Sequence, residues 1–254
     1  MKRERFYTDN IGPDKDKERA TWDKGVGLLN SIDDVTELRI IINTRNNTGY
    51  IKRLFGEKYV ERLFTGISPN RNNSQLIKLD TVRTAKEFGP KRILVAFGLT
   101  SDELFILDEF RDVAAIVAYP STRSSSLNWA KTWQAEEVIS KQQAESYQLP
   151  SSLVVTALKE LTRQINLKTG IINPHDEELA RSYVWALHQE EQYLPGKECA
   201  ALLISKLKWS YDHAMDLTAL IAKLNQGRRI RVGKRISPEE LIRNWKKFPE
   251  VVDA

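Results

Sequence analysis

A single cysteine, Cys199, stands in 254 residues, so no disulfide can form within the chain and its fold has to rest on packing. That usage fits a reducing compartment and leads to an expectation of cytoplasmic residence. Histidine is equally scarce. His175, His188 and His213 belong to no HxxxH or HExxH arrangement, no CxxC occurs, and a metal site is not expected. No stretch approaches the roughly 18 uncharged apolar residues that a membrane span needs. No apolar run follows the positive charges of MKRER either, so neither a membrane partner nor a secretory signal is expected. A GxxxxGK followed by Ser or Thr is missing, which excludes a P-loop ATPase. Gly25-Val26-Gly27 starts a dinucleotide fingerprint, but Asn30 stands where the third glycine belongs, and no cofactor is expected.

What is present describes a globular chain of α/β class. Hydrophobic residues at 41% and charged residues at 29% suit a folded protein rather than a disordered one. Three apolar runs bounded by turn formers, Leu38 to Ile42, Arg92 to Phe97 and Val113 to Tyr119, have the length and continuous hydrophobicity of strands covered on both faces. Gln75 to Val82 is a weaker fourth. Between them, Tyr50, Ile51, Leu54, Phe55, Tyr59, Val60 and Leu63 recur at helical spacing up to a stop at Gly66. Thr100 and Glu103 form a capping box for a short helix. These features predict a small Rossmann-like, mostly parallel sheet over residues 25–145. Residues 1–24, dense in charges of both signs and broken by Gly12-Pro13, read as a flexible arm.

From residue 150 to 254 the period is helical. Asn173-Pro174 opens one helix. Lys197 to Leu207 and Asp212 to Gln226 make a candidate helix-turn-helix, and Ser237-Pro238 with Glu240 opens the last helix, where Ile236 can staple to Leu241. The second helix of the pair is a poor reading helix, because Asp212, Asp216, Thr218, Lys223, Asn225 and Gln226 offer a single cation.

Charge marks one candidate site. Residues 228 to 247 hold eight cations, Arg228, Arg229, Arg231, Lys234, Arg235, Arg243, Lys246 and Lys247, against Glu239 and Glu240. That local +6 exceeds the +5 of the whole chain, leaving −1 elsewhere. Clustered cations of this kind point to a nucleic acid or another polyanion as partner. Trp245, flanked by Arg243, Lys246 and Lys247, is placed where base stacking and phosphate contact could combine. The α/β part then serves as a scaffold, a protein-binding module or a ligand sensor. A second candidate lies in the post-strand loops, where Arg45, Thr48, Thr100, Ser101 and Arg123 would gather on one edge of a parallel sheet as an anion site. It would make the protein an enzyme acting on a nucleotide or phosphorylated substrate, with Asp102 beside the two arginines.

Overall fold

The computed structural model describes residues 3–9, 12–66, 76–233 and 237–248, apart from the side chains of residues 123–126. The chain forms two compact units, Met1–Ser146 and Tyr147–Ala254.

In the first unit a strand, β1 (Glu4–Tyr7), is followed by α1 (Lys15–Ser31), β2 (Glu37–Ile42), α2 (Gly49–Phe55), α3 (Glu57–Phe64), β3 (Leu76–Thr81), β4 (Arg92–Leu99), α4 (Ser101–Asp108), β5 (Val113–Pro120), α5 (Arg123–Trp133) and the two-residue β6 (Glu136–Glu137). The six strands pair in the order β3-β2-β4-β5-β1-β6, all parallel. An all-parallel sheet needs cover on both faces. Alternate residues Leu38, Ile40, Ile42, Ile93, Val95 and Phe97 share a core with Trp22 and Leu28 of α1, Ile51 of α2 and Val60 and Leu63 of α3. The opposite face of β4, β5 and β1 is covered by α4 and α5. Over β2 and β4 that opposite face is ionic. Buried Glu37 accepts from Arg39 and Lys78, and Arg39 reaches Asp80 at 2.9 Å. Arg92 donates to the carbonyls of Lys86 and Glu87 in the helix-free connection between β3 and β4.

Two expectations change. In the stretch expected as a loose arm, the described residues are structured: β1 lies inside the sheet between β5 and β6 and α1 begins at Lys15. Charge density misled here because the charges are used internally. The Asp108 carboxylate accepts from Arg3 Nη1 at 2.9 Å, from Arg5 Nη2 at 2.9 Å and from Trp129 Nε1 at 2.7 Å. Burial lowers the Arg3 pKa from its usual value, and the charge of Asp108 opposes that shift. The single helix expected over residues 50–63 is two, broken at Gly56, whose φ of 82° lies in the left-handed region. Gly25-Val26-Gly27 lies within α1 rather than in a phosphate loop, and Gly25 lets the helix approach the sheet closely. A Cβ there would stand 2.4 Å from Val95 Cγ2.

In the second unit α6 (Ser152–Gln164) leads through a short 3-10 turn at Gly170–Ile172 to α7 (Pro174–Glu191), α8 (Gly196–Ser205), α9 (Tyr211–Asn225) and α10 (Pro238–Lys247). Asn173, Ser210 and Ser237 cap α7, α9 and α10. In the last of these the Ser237 hydroxyl accepts from Glu240 N at 3.3 Å and donates to the Glu239 carboxylate at 2.6 Å. The expected staple from Ile236 lies outside the described residues.

Two stability changes follow. Asp108→Ala should cost about 3–5 kcal/mol in urea unfolding, because it strands two largely buried guanidinium groups. A loss under about 1 kcal/mol would mean that β1 is held by backbone pairing alone. Gly25→Ala should destabilise by about 1–3 kcal/mol through overpacking. An exposed mid-helix glycine would show a gain of about 1 kcal/mol instead, so the sign of the change reports the contact, and adding Val95→Ala should recover part of the loss.

Candidate functional site

All-parallel strands put every post-strand loop on one edge of the sheet, and the strand order reverses between β2 and β4, the usual place for a ligand crevice. Here the chain fills that place itself. The Tyr50 ring stacks on Phe97 with centroids 6.4 Å apart and meets Tyr119 edge-on at 5.5 Å. Gly98, at φ 70°, makes room for it, since a Cβ would lie 2.7 Å from the ring. Asn43 of the loop after β2 donates to Glu103 of α4. Buried Glu18 accepts from Arg53 Nε at 3.1 Å. The Tyr119 hydroxyl donates to the Gly12 carbonyl at 2.9 Å and accepts from Asp14 N at 3.0 Å, and burial pushes its pKa up to about 12.

The residues expected to bind an anion at this edge have other duties. Thr100 accepts from Glu103 N, while the Glu103 carboxylate accepts from Thr100 N at 2.8 Å, so the start of α4 is answered by its own acid. Ser101 is buried, and its hydroxyl accepts from Trp129 N at 3.3 Å. Thr48 is buried at the start of α2, where its carbonyl accepts from Lys52 N. Arg45 does not join Thr100. It lines a cavity of about 250 Å³ on the β3 side, with Phe64, Asp80, Thr81 and Thr84, and its guanidinium lies 5.5 Å from the Phe64 ring centre. Arg123 opens α5, two strands away from the loop of Arg45, and its side chain lies outside those described. The loops after β2 and β5 thus flank the Thr100 helix start on either side of β4, with Arg45 turned to the β3 side.

In the second unit the basic stretch wraps α7. Asn225, last residue of α9, holds Leu194 through both side-chain atoms, at 3.1 and 2.8 Å, just beyond the C-terminal end of α7. Five residues on from Arg228, Gly233 presses on Glu178, near the start of α7, so closely that a Cβ would overlap its carboxylate. The chain therefore runs back along α7, because the five steps from Arg228 to Gly233 span about 17 Å when extended and the twelve residues from Glu178 to Glu190 rise about 18 Å. Helix α10 then returns, and Lys246 bonds Glu190 at 2.5 Å. Both ends of the basic stretch thus meet at the C-terminal end of α7. Arg228, Arg229, Arg231 and Arg243 are exposed there or along the way, and none has a carboxylate partner among the described residues. Lys247 lies 5.2 Å from the Phe248 ring. Lys234 and Arg235 fall outside the described residues.

Trp245 is not a stacking platform. It is 1% exposed, its indole N–H donates to Glu160 at 2.6 Å, and its ring lies 5.1 Å from that of Tyr183. Glu160 also accepts from the Tyr183 hydroxyl at 2.9 Å, and burial with this carboxylate beside it raises the Tyr183 pKa. The reason is amphipathy: Leu241 and Trp245, four residues apart, form the inner face of α10, and the cations take the outer one. On α9, Thr218 is buried and Asn225 is engaged, leaving Asp212, Met215, Asp216, Ala219, Ala222 and Lys223 outermost.

Residues 150–246 of this unit are similar to a domain of unknown function, DUF1889. The match ends one residue before Lys247 and takes in the whole route from α6 to the basic face of α10. No curated protein and no solved structure matches the chain. Among the described residues, no group of three or more His, Cys, Asp or Glu could hold a metal, and no helix is long and apolar enough to cross a membrane. Cys199 is buried, and burial pushes its thiol up to about 12, away from the thiolate a nucleophile needs.

The position of Trp245 is testable by stability. Trp245→Ala should cost about 3–5 kcal/mol, whereas Trp245→Phe, which loses the bond to Glu160 but keeps a ring, should cost about 1–2 kcal/mol. Chemical denaturation in which Trp245→Ala costs under about 0.5 kcal/mol, as for a surface residue, would put the indole outside.

Proposed function

We propose that the helical unit binds nucleic acid through the basic chain that runs back along α7 and the outer face of α10. One observation carries this reading: Arg228, Arg229, Arg231 and Arg243 are exposed without a carboxylate partner among the described residues, although acids are near enough to take Lys246. Cations that neutralise nothing within the protein are free to neutralise phosphates, and release of counterions then drives association. The binding is of backbone type, insensitive to sequence, because helix α9 presents Asp212 and Asp216 with only Lys223 and would be repelled from a groove. The protein acts as an accessory factor, with the α/β unit as scaffold or ligand-sensing module. The rival reading, an enzyme acting at the strand-end loops, finds less support, since Tyr50 fills the crevice and the acids there answer the protein's own donors.

Salt titration of binding to labelled DNA tests the proposal. Affinity should fall steeply with salt, and replacing Arg228, Arg229, Arg231 and Arg243 with glutamine should flatten the log–log slope by roughly three. Affinity should drop alike on unrelated sequences while the unfolding free energy stays within about 0.5 kcal/mol, as for unpaired surface residues. Unchanged affinity and slope would remove this face from consideration.

A further inference from the structure

We infer that the nucleic acid this face takes is single-stranded, with its bases stacked on Tyr193 and Phe248; the inference rests on the proposed phosphate-binding reading and adds to it the class of strand. Aromatic rings usually go inside, and in the helical unit Trp209, Tyr183 and Trp245 do. Tyr193 and Phe248 do not: they are 67% and 66% exposed. Both stand at the place where the two ends of the basic stretch meet. Tyr193 follows the left-handed cap of α7 at Gln192 and precedes Leu194, the residue clasped by Asn225 three positions before Arg228. Phe248 follows α10, two residues beyond the Lys246 that bonds Glu190, itself three residues before Tyr193. The short backbone bond from Tyr193 N to the Glu191 carbonyl, 2.6 Å, holds the turn that carries the first ring.

Rings and cations in one place select among polyanions. Phosphates alone would serve a duplex, a single strand or an acidic protein equally well. A duplex keeps its base faces inside its own stack, and an acidic peptide offers none, so exposed rings add nothing for either. A single strand offers a flat face at every nucleotide while its backbone tracks the cations, and stacking of this kind is indifferent to sequence. Lys247, 5.2 Å from the Phe248 ring, can pair with the phosphate beside a stacked base.

The experiment compares oligo(dT), oligo(U) and a DNA duplex of equal length at one salt concentration, for the full chain and for Tyr193→Ala/Phe248→Ala. The unaltered protein should bind a single strand at least about 10-fold more tightly than the duplex, and the double variant should lose that advantage, each ring contributing roughly 5-fold or more. Its salt slope should not change, since no cation is removed. Phe248→Leu, which keeps apolar bulk without a flat ring, should lose nearly as much as Phe248→Ala, and thermal unfolding of all variants should match the parent. Preference for oligo(dT) or for oligo(U) identifies the strand, and either outcome supports the inference. Duplex bound as tightly as single strands, or an unaltered affinity in the double variant, overturns it and leaves the phosphate reading standing if the arginine replacements still weaken binding. Absence of binding to all three at low salt overturns both.

Discussion

Asp108 is the carboxylate on which the α/β unit depends. It sits at the end of α4, 3% exposed, and takes Arg3, Arg5 and the Trp129 indole together. Those donors come from β1, the residue just before it and α5, far apart in sequence, so one acid fixes the N-terminal strand into the sheet and seats the helix that covers it. Two arginines around one acid leave a net positive charge in a low-dielectric place, and further acceptors meet it: the Arg3 guanidinium also donates to the carbonyls of Asp108, Phe110 and Val113. The Arg5 guanidinium lies 3.8 Å over the Trp133 ring.

The same economy governs the carboxyl edge of the sheet. Polar loops there have the composition of a ligand site, and composition was the reason to suspect one. Local acids decide otherwise: Glu103 closes the start of α4, Glu18 takes Arg53, and the Tyr50 ring lies across Gly98. A buried donor without an acceptor costs more than a neutral contact returns, so a fold with acids at hand satisfies its own donors first. Among the described residues a cavity beside Arg45 stays open on the β3 side, away from the reversal of strand order.

In the helical unit the balance tips the other way. Glu160 draws Trp245 and Tyr183 inward and so anchors α10 against α6 and α7. With its apolar side committed, that helix has to turn Arg243, Lys246 and Lys247 outward, and the chain before it has to present Arg228, Arg229 and Arg231 while it passes over α7. A buried tryptophan thus positions the charged face without belonging to it. Tyr193 and Phe248, which no pattern of charges singled out, stay exposed because each follows the end of a helix, beyond the packed face.

Four strands, the capping box at Thr100 and the helix starts at Asn173 and Ser237 were readable from the chain alone, because each depends on residues within a turn or two of one another. Charge surplus in residues 228–247 was readable for the same reason: a sum needs no coordinates. Which charges are spent and which are free was not. Arg3 and Arg5 meet Asp108 across more than a hundred residues, Trp245 meets Glu160 across 85, and Tyr50 meets Gly98 only once strands β2 and β4 lie side by side. Local sequence determines the elements and the total charge, while long-range packing decides partners, because an ion pair or a ring contact acts over a few ångströms whatever the separation along the chain.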